Sequence, residues 1–64
     1  MTITRRIKQF INEVATAAIN EPESDVTEEE CLEEYTDQIL HDDYECVVHY
    51  AESKGIKIPR ALKG

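Results

Sequence analysis

The sequence predicts a small all-α fold, a three-helix bundle with an extended C-terminal tail. Two observations predict it. Three segments repeat apolar residues at helical spacing. Only two glycines and two prolines punctuate the 64 residues, too few for a domain of short strands and tight turns. Apolar residues make up 41% of the chain, enough for a core, although a chain of this size buries only about 60% of its unfolded surface.

The first helix is expected over 3–19, "ITRRIKQFINEVATAAI". Ile3, Ile7, Phe10, Ile11, Val14 and Ala18 fall at i, i+4, i+7, i+8, i+11 and i+15, a single stripe on a 3.6-residue helix. Thr2 or Thr4 supplies the N-cap, and Pro22 opposes continuation beyond Asn20. Residues 20–26, "NEPESDV", read as a loop.

The second helix is expected over 28–40. Thr27 followed by Glu30 makes a capping-box pattern. Glu28, Glu29 and Glu30 suit the positive end of the helix dipole. Leu32, Tyr35 and Ile39 form its apolar stripe, flanked by Cys31, Thr36 and Leu40. The third helix, 43–54, places Tyr44, Val47, Val48 and Ala51 at i, i+3, i+4 and i+7.

One straight rod through both segments would displace the second stripe by roughly a third of a turn at 100° per residue. A break at 41–43 is therefore expected, with Asp42 and Glu45 as a second capping-box pair. Gly55 is a C-cap signal and Ile56 its apolar companion. The tail, 56–64, alternates apolar and basic residues, with Ile56 and Ile58 docked on the bundle. These apolar positions, Leu40 included, form the expected core of one helical domain over 1–64. The core is small, so a homodimer would help bury it.

The formal net charge of −7 hides a pattern. Residues 1–20 carry +2, residues 21–45 carry −12 with no Lys or Arg, and residues 46–64 carry +3. Such a chain repels nucleic acid at long range and attracts a basic partner. No apolar run approaches the roughly 20 residues that span a bilayer, and no signal-peptide pattern is visible. With only two cysteines, the expectation is a reduced, cytoplasmic protein without a disulfide scaffold.

No phosphate-binding glycine loop, nucleophile elbow or HExxH motif is present, so the chain is not expected to be an enzyme. Cys31, His41, Cys46 and His49 match no common zinc spacing, and no calcium loop exists. No metal or cofactor is expected. Cys31 reads as a small buried hydrophobe and His49 as a surface ion-pair residue beside Glu45 and Glu52.

The acidic block supplies the candidate site. Glu30, Glu33, Glu34 and Asp37 fall at i, i+3, i+4 and i+7, opposite the Leu32–Tyr35–Ile39 stripe. Like charges at these spacings cost a few tenths of a kcal/mol per pair, and no cation is interleaved. Glu29, Asp42 and Asp43 extend the face.

The expected function is a protein-binding inhibitor or regulator that presents this face to a basic protein surface, in the sharpest form as a nucleic-acid mimic occupying a nucleic-acid-binding protein's groove. In this it is similar to small acidic phage and plasmid inhibitors, a likeness of class with no shared motif. The second reading is a nucleic-acid-associated regulator using the basic ends, Arg5, Arg6, Lys8, Lys54, Lys57, Arg60 and Lys63. The third is a structural or assembly subunit with a plainly solvated acidic face.

Overall fold

The structure, a computed structural model, describes residues 2–63; Gly64, the last residue of the expected tail, lies outside them. Three helices occur in chain order: α1 over Arg5–Ile19, α2 over Glu28–Leu40 and α3 over Glu45–Ser53. A 3₁₀ turn over Arg60–Leu62 follows, and no strand occurs among the described residues. The all-α three-helix bundle is what the periodicity predicts.

Helix α1 is the centre of the packing. Its buried residues are Ile7, Phe10, Ile11, Val14 and Ala15, spaced i, i+3, i+4, i+7 and i+8 along one face. It packs chiefly against α2 and more lightly against α3. Thr4 is the N-cap: its Oγ1 accepts from the Ile7 N–H at 3.2 Å. Phe10 is 2% exposed, so truncating it to alanine would cost about 3–5 kcal/mol.

Helix α2 begins at Thr27, whose Oγ1 accepts from the Glu30 N–H at 3.1 Å. Cys31 and Ile39 are buried on this helix, and Leu32 and Tyr35 pack partly against the core. Helix α3 buries Val47 and Ala51, with Tyr44, Val48 and Tyr50 packed at the edge.

The break between α2 and α3 falls where the phase of the stripes demands it, but its chemistry differs from the expectation. The Asp42 and Asp43 N–H groups donate to Ile39 O at 3.1 Å and Gln38 O at 2.8 Å. Asp42 adopts a φ of 55°. This is a Schellman turn that ends α2, with Asp42 at the position glycine usually takes. Asp42 therefore ends one helix and does not cap the next. Helix α3 starts at Glu45, and its N-cap, Tyr44, makes no side-chain cap bond. The end of α3 repeats the device with Gly55 at a φ of 73°. There Gly55 N–H donates to Glu52 O and Ile56 N–H to Ala51 O, at 3.1 and 2.9 Å.

Three core assignments change. Leu40 is 46% exposed. It lies about 140° round the helix from Tyr35, the centre of the inward face that Cys31, Tyr35 and Ile39 share, so it falls outside that face. Ala18 is only half-buried, while Ala15 is fully buried. Leu62, which alternation along an extended tail did not single out, is 4% exposed; the 3₁₀ turn rolls it inward beside Ile58.

Candidate functional site

All seven predicted site residues, Glu29, Glu30, Glu33, Glu34, Asp37, Asp42 and Asp43, are exposed. The first five lie on α2, and the last two lie in the turn that ends it. At 100° per residue, Glu29, Glu33, Asp37, Glu30 and Glu34 sweep one continuous arc of the helix, facing away from Ile39. None of the five pairs with a Lys or Arg among the described residues: Glu21 pairs with Lys54, and Asp37 Oδ1 lies 3.3 Å from the His41 ring Nδ1. Glu34 accepts from Gln38 Nε2 at 3.4 Å.

The arc is not purely acidic. Leu40, the last residue of α2, falls on the same side of the helix, one turn beyond Asp37. Leu32, Thr36 and Leu40 line an open surface depression together with Glu33 and Asp37. The spacing i, i+4, i+8 that joins those three residues is visible in the sequence, but the stronger Leu32–Tyr35–Ile39 stripe conceals it. Glu30 and Glu34 sit on the opposite flank of the arc, beside Cys31. Burial, then Glu34 and Glu30, push the Cys31 thiol up, so at neutral pH it stays protonated and unreactive. Cys46 is exposed, and both thiols are free.

A second cluster escaped the sequence reading. Glu21, in the loop after α1, accepts a hydrogen bond from the Tyr50 hydroxyl at 2.8 Å and pairs with Lys54 through the same Oε1 atom. The Lys54 ammonium also lies 5.6 Å from the centroid of the Tyr50 ring. The bond from Lys54, then that from Tyr50, hold the Glu21 carboxyl below the usual carboxylate range. Burial, then the bond to Glu21, push the Tyr50 hydroxyl up. A separation of 29 residues leaves no sequence signal for this contact.

The basic ends are brought together only in part. Arg6, Lys57, Arg60 and Lys63 line a groove of about 320 Å³ with Ile58. An adjoining groove shares Arg6 and Lys57 and is lined also by Gln9, Phe10, Glu13 and Pro59. Arg5 and Lys8 line neither groove, and Lys54 is engaged by Glu21. His49 is exposed and makes no ion pair among the described residues; the histidine set beside a carboxylate is His41, next to Asp37. No group of three or more His, Cys, Asp or Glu that could hold a metal ion occurs among the described residues. Nor is any helix among them long and apolar enough to cross a membrane.

Comparison with protein-family models, curated proteins and solved structures finds no match to this chain. The two charged surfaces are therefore the features that point to function.

Proposed function

We propose that the protein is a non-enzymatic binding module whose α2 face docks on a basic protein surface, as an inhibitor or regulator of that partner. The observation that carries this reading is Leu40. It is 46% exposed at the C-terminal end of α2, lining a surface depression with Leu32, Thr36, Glu33 and Asp37. The depression joins apolar side chains to Glu33 and Asp37, on a helix whose acidic residues pair with no Lys or Arg among the described residues. It suits an interface, where a desolvated apolar anchor supplies affinity and the charged rim supplies orientation and rate. Charge complementarity makes the partner cationic. A nucleic-acid-binding groove is the sharpest case, with Glu30, Glu33, Glu34 and Asp37 standing in for phosphates.

The test is capture from lysate by wild type, identification of the captured protein, and titration with that protein once purified. Leu40→Ala should weaken binding by about 1–3 kcal/mol. The variant carrying Glu30→Gln, Glu33→Gln, Glu34→Gln and Asp37→Asn should slow association and lose most of the salt dependence. Unchanged affinity of this fourfold variant at low salt refutes the reading.

A further inference from the structure

The sequence places Arg5 and Arg6 in the first turn of α1, where the positive end of the helix dipole opposes them. That turn contains no acidic residue. The chain holds fourteen carboxylates, yet neither Arg6, Lys57, Arg60 nor Lys63 forms an ion pair with any of them in the described structure. Four cations with no ion pair among the described residues therefore face one groove, next to a helix end that adds its own positive potential.

The groove is also held in shape. Ile58 and Leu62 are buried, and Pro59 is buried between them, which pins the tail on both sides of Arg60. In a 3₁₀ turn, side chains at i and i+3 eclipse. The Lys63 N–H donates to Arg60 O at 3.1 Å, so Arg60 and Lys63 stack on the same side. Donors held on a packed backbone lose less freedom when an anion arrives.

We infer that the groove between the start of α1 and the C-terminal tail, lined by Arg6, Lys57, Arg60 and Lys63, is a binding site for a compact phosphate anion of the pyrophosphate class. Compactness follows from the rest of the molecule. The groove is short, and a polyanion leaving it would run over the surface of a protein with net charge −7. Beyond a Debye length of about 8 Å the local cations are screened. A small multivalent anion in the groove meets the four cations that line it and stays clear of the acidic face of α2, with Glu13 in the adjoining groove as the nearby carboxylate. Arginine supplies the forked donors that match phosphate oxygens, and lysine the point charges. This site uses none of the α2 face, so it stands or falls separately from the proposed partner surface.

The experiment is a titration of the isotopically labelled full chain with inorganic pyrophosphate, followed by amide NMR, with a short single-stranded oligonucleotide as a parallel arm. Saturable shifts of Arg6, Lys57, Arg60 and Lys63, with a dissociation constant at or below about 1 mM, support the site. The Lys57→Gln/Arg60→Gln variant changes two exposed residues and should keep its helical spectrum. It should bind about tenfold more weakly, the sum of two exposed ion contacts. Absence of saturation, shifts centred elsewhere, or unchanged affinity in the double variant overturns the proposal. So does binding of the oligonucleotide without pyrophosphate, which would make the groove a polymer track.

Discussion

Asp42 holds a φ of 55° in a region that costs residues with a β-carbon roughly 1–2 kcal/mol. Its carboxylate also sits at the C-terminal end of α2, where the dipole is negative, and beside Asp43. Glycine removes the steric and both charge penalties, at the cost of a more flexible unfolded chain. Asp42→Gly should therefore stabilise the fold by about 0.5–1 kcal/mol, read as a melting temperature higher by about 2–8 °C in a domain of this size. An unchanged or lower value would mean that the carboxylate makes a compensating contact. Single residues also mark where the sequence was legible. Thr27 and Gly55 could be read because a cap and a left-handed glycine have local signatures. Asp42 could not, because an aspartate shortly after a helical stripe fits an N-cap and a C′ position equally well. Leu40 was misassigned for a similar reason: an apolar residue next to a stripe belongs to it only when its angle agrees.

The helices could be read from periodicity because each buries one face; what joins them could not. The tail is the clearest case. Alternation identified Ile56 and Ile58, but the 3₁₀ turn that buries Leu62 depends on packing against the helices. Leu62→Ala should cost about 2–5 kcal/mol if the tail is part of the core. Chemical denaturation measures this, and a loss below about 0.5 kcal/mol would mean the tail merely rests on the surface. The loop between α1 and α2 is tied to α3 by Glu21. Its carboxyl is held below the usual range by Lys54 and Tyr50. A lowered folded-state value means the contribution is present at neutral pH and fades as pH falls through that value. Glu21→Gln should thus lower the denaturation midpoint at pH 7. The gap between variant and wild type should narrow as pH falls below the ordinary glutamate range and close once Glu21 is protonated in the folded state. A gap that persists in acid would show that the substitution costs stability through packing and not through charge.

At the scale of the whole molecule, charge is separated. The acidic face draws on α2 and the turn after it, whereas the basic groove draws on α1 and the tail. The sequence made the segment charges plain, yet only folding shows that Arg6 meets Lys57 and Arg60 while Arg5 and Lys8 turn elsewhere. The radius of gyration is 10.9 Å, close to the roughly 10.7 Å expected for a compact chain of this length. Twelve of the carboxylates lie between residues 21 and 45, so compaction brings them together, and self-repulsion opposes the folded state. Screening should relieve it. Raising salt from about 10 mM to about 500 mM shortens the Debye length from roughly 30 Å to under 5 Å. The melting temperature should therefore rise with sodium chloride, unlike that of a fold held by surface ion pairs. The variant carrying Glu30→Gln, Glu33→Gln, Glu34→Gln and Asp37→Asn should begin more stable at low salt by a few tenths of a kcal/mol for each like-charge pair removed. It should then gain much less from added salt. If both proteins respond equally, the repulsion is spread over the whole surface. If wild type loses stability in salt, the clasp of Glu21 with Lys54 outweighs the acidic face.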